Sequence, residues 1–253
     1  QSLFLCPTTV LADQHYISCK DRLESFGVRI ALLSRFKSLK EQKIILEKLK
    51  MNKFDVVIGT HRAISNDVFF PNLGLLVVDE EHRFGVSHKE KIRAMKQNID
   101  VLTLTATPIP RTLQQSLVGI RNVSLIQTPP KSRKPIETSV RFFDWETVFT
   151  YIEIELRRGG QVFFLQNDIK SLYLYKQKIQ KKFANFSVQS LHGKMPPSEM
   201  ERKILSFFEG TIDVLVCTTI IESGLDIPNA NCIIINDAQN FGLSQLYQIR
   251  GRV

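Results

Sequence analysis

The stretch Gly74-Leu-Leu-Val-Val-Asp-Glu-Glu-His-Arg-Phe-Gly-Val86 decides the fold of this chain. Its apolar run Leu75–Val78 is short, uninterrupted and half β-branched, which predicts a strand buried on both faces of a parallel sheet. The run ends directly in the polar segment Asp79–His82. In open α/β sheets, functional groups collect at the carboxyl ends of the strands. The stretch therefore predicts a parallel sheet, and it predicts that the functional residues lie at the edge formed by the carboxyl ends of its strands.

The acids after this strand allow two interpretations. Asp79 and Glu80 can divide the work of a nucleotide hydrolase, because one carboxylate can hold Mg²⁺ while the next polarises an attacking water. The same residues can also form an acidic turn that only caps the following helix. The rest of the chain favours the first interpretation.

Apolar strand-like runs alternate with amphipathic helix-like runs along the whole sequence, which is typical of layered parallel α/β architecture. The strands predicted in the first half are Leu3–Cys6, Arg29–Leu33, Asp55–Ile58, Leu75–Val78, Val101–Thr105 and Val123–Ile126. Those predicted in the second half are Glu137–Phe142, Gln161–Leu165, Ser187–Leu191, Asp213–Cys217 and Cys232–Ile235. Capping boxes predict helix starts at Ser38, Ser87 and Ser198.

Between the two sets of strands, residues 128–135 read Thr-Pro-Pro-Lys-Ser-Arg-Lys-Pro. This composition fits neither a helix interior nor a central strand, because proline lacks a backbone N–H and clashes with the preceding turn. We therefore predict a linker at 128–135 that joins a first lobe, residues 1–127, to a second lobe, residues 136–253.

The amino-acid composition limits the kinds of partner that the chain is expected to bind. The 253 residues carry a formal net charge of +9, which favours a polyanion, above all nucleic acid, over other partners. No apolar run approaches the roughly 20 residues that span a membrane. The four cysteines show no C-x-x-C spacing, so we expect free thiols in a reducing compartment, the cytoplasm, instead of disulfides or a zinc site.

Several strands end in small polar turns whose hydroxyls and exposed N–H groups suit contacts with phosphate oxygens. Each turn alone is better explained as a helix cap, a simple turn or a strand end. In chain order, these segments are Pro7-Thr-Thr9, Gly59-Thr-His61, Asp79-Glu-Glu-His82, Thr105-Ala-Thr-Pro108, His192-Gly-Lys-Met195, Thr218-Thr-Ile-Ile-Glu-Ser-Gly-Leu-Asp-Ile-Pro228 and Gln248-Ile-Arg-Gly-Arg252.

Taken together and in this order, the seven segments resemble the motifs of superfamily 2 helicases and translocases. Within that superfamily, Asp79–Val86 and Thr103–Leu113 are similar to the group that contains the bacterial transcription-repair coupling factors and the RecG branch-migration helicases. RecG proteins typically carry Asp-Glu-Gln-His where this chain has glutamate at position 81. The segments Val86–Ile92, Ser34–Phe36 and Arg158–Val162 are similar to the coupling factors.

The resemblance implies two RecA-like lobes, each a parallel sheet flanked by helices, and the cofactors ATP and Mg²⁺. It assigns Mg²⁺ to Asp79, the attacking water to Glu80, and the nucleotide phosphates to Gln248 and Arg252. Further nucleotide contacts fall on Gly224, Asp226 and Arg250, and coupling of hydrolysis to lobe movement falls on His82, Thr105 and Thr107. The residues assigned to the DNA backbone are Thr8, Thr9, Arg35, Gly59, Thr60, His61, His192, Lys194, Thr218 and Thr219.

The sequence departs from the family pattern at both ends. It contains no G-x-x-x-x-G-K-[ST], the loop that cradles the β- and γ-phosphates. The resemblance places that loop upstream of Gln1 and a further Gly-Arg beyond Val253, so we expect both lobes to be truncated and this fragment to hydrolyse ATP weakly or not at all.

The function that the resemblance implies is ATP-dependent translocation on double-stranded DNA in transcription-coupled repair. The expected partners beyond DNA are RNA polymerase and excision-repair proteins, contacted through domains outside this chain. One alternative is a RecG-like branch-migration helicase. The other is a non-hydrolysing lobe pair that binds nucleic acid or protein, which applies if the chain truly starts at Gln1.

Overall fold

A computed structural model of the chain describes residues 1–35, 37–95, 99–105, 123–124, 126, 128, 135–219 and 227–253, without the side chains of residues 82, 93 and 244. The chain divides into two compact units, Gln1–Ala106 and Thr107–Val253. The linker predicted at 128–135 lies mostly outside the described residues and stays a prediction, as do the lobe boundaries drawn from it.

The first unit contains a parallel sheet with helices along it. Its described strands are β1 (Ser2–Leu5), β2 (Ile30–Leu33), β3 (Val56–Gly59), β4 (Leu75–Asp79) and β5 (Asp100–Leu104). They lie side by side in the order β2-β3-β1-β4-β5. The described α-helices are α1 (Thr9–Leu23), α2 (Leu39–Lys50) and α3 (Val86–Met95), with short 3₁₀ turns at Glu24–Phe26, His61–Ile64 and Glu81–Arg83.

The second unit repeats this architecture. Its described strands are β6 (Gln161–Leu165), β7 (Val188–Leu191), β8 (Val214–Cys217) and β9 (Ala230–Ile235), parallel and in the order β7-β8-β6-β9. Its described α-helices are α4 (Trp145–Arg157), α5 (Ile169–Lys182), α6 (Pro197–Phe208) and α7 (Leu243–Arg250), and a 3₁₀ turn covers Ala238–Asn240.

The central strands are apolar because both of their faces are covered. In β1 and β4, Leu3, Leu5, Leu76 and Val78 are fully buried in the core of the first unit. All five residues of β6 are buried in the second unit. The parallel α/β fold predicted from the sequence is confirmed. No helix in the described parts of the chain is long and apolar enough to cross a membrane.

Parallel pairing brings the ends of neighbouring strands to one edge. Leu5 at the end of β1 lies in register with Gly59 of β3 and with Val78 of β4. Asp79 lies in register with Leu104 of β5. The polar turns that follow these strands therefore meet at the same edge of the first sheet, as the sequence predicted.

One predicted strand is wrong. Glu137–Phe142 has the alternating pattern of a strand, but the chain from 135 to 144 has no regular secondary structure and Val140 and Phe142 are almost fully exposed. A strand needs a hydrogen-bonded neighbour, and none of the described residues pairs with this segment. The strand predicted at Val123–Ile126 lies partly outside the described residues.

Two of the three predicted capping boxes are also wrong. At Ser38 the prediction is confirmed, because the Ser38 hydroxyl accepts from the Glu41 N–H and the Glu41 carboxylate accepts from the Ser38 N–H. Ser87 and Ser198 already lie inside helices, since α3 begins at Val86 and α6 begins at Pro197. A proline at the first helical position loses no hydrogen bond, which explains why α6 starts before its serine.

Candidate functional site

An acidic corner follows β4 in the first unit. Asp79 is the last residue of the strand, and Glu80 adopts a left-handed backbone conformation with φ of 50°. This conformation costs a non-glycine residue on the order of 1 kcal/mol or more. It is held by a hydrogen bond of 2.9 Å from the Glu80 N–H to the Leu104 carbonyl of β5, and by the 3₁₀ turn that begins at Glu81.

The Glu80 side chain is buried at this corner, with 9% of its surface exposed. The Thr105 hydroxyl donates a hydrogen bond of 3.2 Å to Glu80 Oε2. Two residues before Thr105, the Thr103 hydroxyl lies 3.4 Å from Glu81 Oε2. The structure thus brings together Glu80 and Thr105, which the sequence had assigned to the water and to coupling respectively.

Asp79 lies beside Glu80 with different neighbours. Its Oδ2 is 3.4 Å from His15 Nε2 of α1. The Cys6 thiol at the end of β1 has a raised pKa, first because it is buried and second because the charge of Asp79 is close, so it stays a neutral thiol. The Cys6 thiol therefore adds no negative charge beside Asp79.

Asp79 suits Mg²⁺ by its chemistry. Mg²⁺ takes hard oxygen ligands and is commonly held by one or two carboxylates together with substrate phosphates. Among the described residues there is no cluster of three or more histidine, cysteine, aspartate and glutamate side chains that could hold a metal alone. The Asp79 carboxylate at this corner thus fits a cation that is also held by phosphate oxygens.

Candidate phosphate-binding groups surround the same edge in the first unit. Thr8 caps α1, where its hydroxyl accepts a hydrogen bond of 3.3 Å from the Leu11 N–H, and Thr9 is buried. After β3, Thr60 is only 1% exposed and its hydroxyl has no hydrogen-bond partner among the described residues. Gly59 allows this turn to pack closely, since a Cβ there would lie 2.6 Å from the Leu33 carbonyl oxygen.

His61 follows Thr60 and lies near His88 and Arg35. Its ring centroid is 5.3 Å from that of His88. Its pKa is lowered, chiefly by burial and further by the nearby His88 and Arg35. His61 is therefore neutral at pH 7 and is suited to hydrogen bonding, while Arg35, exposed after β2, supplies positive charge.

The second unit also gathers polar groups at the ends of its strands. His192 follows β7, and its Nε2 lies 2.7 Å from the Tyr173 hydroxyl of α5. Its Nδ1 is buried without a partner among the described residues. Thr218 follows β8 and its N–H donates to the Leu191 carbonyl over 3.1 Å, so Thr218 and His192 lie at adjacent strand ends. Thr219 is half-buried, and Lys194 is exposed in the turn after His192.

A second corner, which sequence reasoning missed, follows β9. Asp237 has a φ of 52° and precedes a 3₁₀ turn, as Glu80 does in the first unit. The buried Asn236 amide donates to Gln166 Oε1 over 2.8 Å and to Asp237 Oδ2 over 2.9 Å. The sequence did contain a pattern that could have indicated this corner. The apolar run before Asn236 and Asp237 ends in polar residues, just as the run before Asp79 and Glu80 does.

The remaining predicted residues lie on α7, just after it, or outside the described residues. Gln248 and Arg252 are half-buried at the end of α7, and the Arg250 guanidinium lies 4.9 Å from the centre of the Tyr247 ring. Thr107, Gly224 and Asp226 lie outside the described residues, as does the side chain of residue 82.

Comparison with protein families gives two matches. Residues 1–116 match the family described as DEAD/DEAH box helicase. Residues 145–253 match the family described as helicase conserved C-terminal domain. The two matches fall in the first and second halves of the chain.

Among curated proteins, the chain is 52% identical over all 253 residues to a "Transcription-repair-coupling factor" of Bacillus subtilis and 50% identical to that of Staphylococcus haemolyticus. It spans 22% of the length of each, about a fifth. Among solved structures, RecG bound to a three-way DNA junction superposes with a TM-score of 0.83 at 37% identity, covering the whole chain and 34% of RecG. Saccharomyces cerevisiae Dbp5 bound to RNA and ADP BeF3 shares the fold, with a TM-score of 0.67 at 18% identity, and the chain covers 67% of it.

Proposed function

Because the chain belongs to the superfamily 2 helicases, in the group of the transcription-repair coupling factor and RecG, we propose that it is the ATP-driven motor core of a double-stranded DNA translocase. In this proposal the longer protein acts in the cytoplasm on stalled RNA polymerase during transcription-coupled repair. The proposal rests chiefly on one observation: the Thr105 hydroxyl donates a hydrogen bond to the buried carboxylate of Glu80, which directly follows Asp79. Identity of 50% or more over the full chain to proteins named transcription-repair-coupling factor supports the biological role.

Hydrolysis depends on Glu80. A buried carboxylate that accepts a hydrogen bond from Thr105 has a fixed orientation, and it can align a water and accept its proton as the γ-phosphate is attacked. Bound Mg²⁺ would neutralise charge on the β- and γ-phosphates, and Asp79 is the residue that would hold it. Gln248 of α7 and Arg252, two residues after the end of that helix, are the groups that the proposal assigns to the nucleotide phosphates.

Arg252 has the larger electrostatic role in this scheme. A guanidinium presents a fixed fork of N–H donors that matches phosphate oxygens. Arginines that stabilise the charge of a transferring phosphoryl group raise the rate by about 10³–10⁵ in phosphoryl-transfer enzymes. Glu80 belongs to the first unit and Arg252 to the second, so the proposed hydrolysis depends on residues of both units.

DNA contact uses the turns at the strand ends. Neutral His61, exposed Arg35 and exposed Lys194 offer hydrogen bonds and charge to phosphates, and the net charge of +9 favours binding to the DNA backbone without regard to sequence. Alternating grips by the two units, driven by ATP binding and hydrolysis, would move the motor along the duplex.

A RecG-like branch-migration helicase is the second candidate. The superposition on RecG at a TM-score of 0.83 favours it. Identity to RecG is 37%, compared with at least 50% to the coupling factors, and position 81 carries glutamate. A lobe pair that binds nucleic acid or protein without hydrolysing ATP is less well supported. Binding alone does not require a buried glutamate whose carboxylate is oriented by a hydrogen bond, as Glu80 is.

The experiment uses the longer polypeptide with its upstream and downstream sequence. ATP-dependent displacement of a triplex-forming strand from linear duplex DNA measures translocation, and release of a stalled RNA polymerase measures the repair role. We expect both activities. Unwinding of branched junctions with no displacement on linear duplex would support the RecG-like alternative, and binding without ATP hydrolysis would support the non-hydrolysing one.

A further inference from the structure

His15 of α1 is the closest described partner of the proposed metal-binding carboxylate. Its Nε2 lies 3.4 Å from Asp79 Oδ2, and the two side chains are 31% and 17% exposed. An ionised carboxylate can only accept a hydrogen bond. In a hydrogen bond between these two atoms, His15 Nε2 is therefore the donor.

The His15 ring is itself held in place. Its centroid lies 4.5 Å from that of Phe4, with an angle of 35° between the planes. Phe4 belongs to β1 and pairs in register with Val77 of β4, two residues before Asp79. The helix that carries His15 is anchored by the Thr8 cap directly after β1. The orientation of Nε2 is thus determined by the same two strands that position Asp79.

We propose that His15 is a positioning residue for the metal site: its Nε2–H holds Asp79 Oδ2 and so reserves Oδ1 for the cation that arrives with the nucleotide. This inference rests on the function proposed above and adds a residue that none of the sequence motifs had marked. Partners that orient a ligating carboxylate typically change metal affinity or activity by about 10–100-fold when they are removed.

Two substitutions separate hydrogen bonding from packing. His15→Phe keeps a ring against Phe4 but removes the donor, while His15→Gln keeps an N–H donor but removes the ring. Lys20→Gln is a matched control on α1, because Lys20 is an exposed residue that pairs with Glu24. The measurement is the affinity of the longer polypeptide for Mn²⁺ in the presence of ADP, read by electron paramagnetic resonance, together with kcat and KM for ATP.

We expect His15→Phe to weaken Mn²⁺ binding by about 10–100-fold and to lower kcat, while His15→Gln stays within about threefold of the unsubstituted protein. Unchanged Mn²⁺ affinity in His15→Phe would overturn the inference, as would an equal loss in both variants, since then the ring and not its N–H would matter. If the unsubstituted protein failed to hydrolyse ATP with DNA present, the proposed function itself would fail.

A second measurement needs no substitution. Nitrogen-15 NMR of the 253-residue chain reports which ring nitrogen of His15 carries the proton. We expect the proton on Nε2. A neutral ring with a bare Nε2 would contradict the contact with Asp79 and overturn the inference, whether or not the variants fold.

Discussion

Thr105 and Glu80 meet across two neighbouring strands, with the threonine hydroxyl 3.2 Å from Oε2 of the carboxylate. Each residue comes one position after a strand end, since Asp79 and Leu104 are in register. The contact joins a carboxylate that can act on water to the segment after β5. A change in the position of Thr105 would therefore reach the proposed catalytic carboxylate directly.

Removing this hydroxyl tests its role. Thr105→Val keeps the shape and loses the hydrogen bond to a charged group, which is worth about 1.5 kcal/mol or more. We expect kcat for ATP in the longer polypeptide to fall about tenfold with little change in KM. Thr103→Val, which removes the 3.4 Å contact to Glu81, is the matched control and should leave kcat within about twofold. Equal rates for both variants would contradict the role of Thr105.

Gly59 is required for packing. A Cβ at this position would lie 2.6 Å from the Leu33 carbonyl oxygen and 2.8 Å from Ala63 Cβ. Gly59→Ala should therefore lower the free energy of unfolding by about 1–3 kcal/mol, measured by urea denaturation. Gly74→Ala is the control, because nothing lies within 4 Å of a Cβ there, and its effect should stay within about 0.5 kcal/mol. A stable Gly59→Ala variant would mean that the turn can relax.

The Thr60 hydroxyl is buried without a partner among the described residues, so its removal separates stability from function. Thr60→Val should leave the free energy of unfolding unchanged or raise it by up to about 1 kcal/mol. The assignment of Thr60 to the DNA backbone requires its hydroxyl to turn out of this buried position to reach a phosphate, and on that assignment we expect the affinity for a fluorescein-labelled duplex, measured by anisotropy, to fall about 3–10-fold.

The control for Thr60 is Thr150→Val, whose hydroxyl donates within α4 to the Glu146 carbonyl over 2.9 Å. It should bind the duplex like the unsubstituted chain. If Thr60→Val also kept full affinity for the duplex, Thr60 would be a packing residue and its assignment to DNA would be withdrawn.

Asp55 gives a pH dependence with a defined sign. Hydrogen bonds from the Arg29 side chain and backbone lower the pKa of Asp55 from 3.8 to about 2. The folded state therefore favours the ionised carboxylate. The resulting stability is complete above pH 3.8 and is lost as the pH falls through 2.

Both side chains of this pair are about half exposed, so the contribution should stay below about 1 kcal/mol. Asp55→Asn should lower the urea midpoint at pH 5, and the difference from the unsubstituted chain should shrink towards pH 2. Asp21→Asn, at an exposed position of α1, should show no such convergence. A difference that grew on acidification would contradict the sign.

The strands that were predicted correctly are those whose apolar residues are buried in a sheet. Gln161–Leu165 was predicted with its exact bounds, and the edge that carries Asp79 and Thr105 was located correctly. Glu137–Phe142 failed, since alternation reports only a propensity and pairing depends on a neighbouring strand. The caps at Ser87 and Ser198 failed because the residues before them are already helical.

The site was predictable only where a contiguous motif marks it. His15 and Tyr173 lie in the middle of helices, and they become significant only when folding brings them to 3.4 Å from Asp79 and 2.7 Å from His192. The separations are 64 and 19 residues along the chain. No local pattern encodes such contacts, because they depend on which helix packs against which strand end.

The central claim is that Glu80 is the carboxylate that acts on the attacking water. The most direct test compares the rate of DNA-stimulated ATP hydrolysis by the unsubstituted longer polypeptide with the rate of its Glu80→Gln variant. The account predicts that the variant binds ATP and duplex DNA as tightly as the unsubstituted protein but loses turnover by at least about 100-fold, since an amide cannot accept the proton of the attacking water. Hydrolysis at the unsubstituted rate would show that Glu80 is not the catalytic carboxylate.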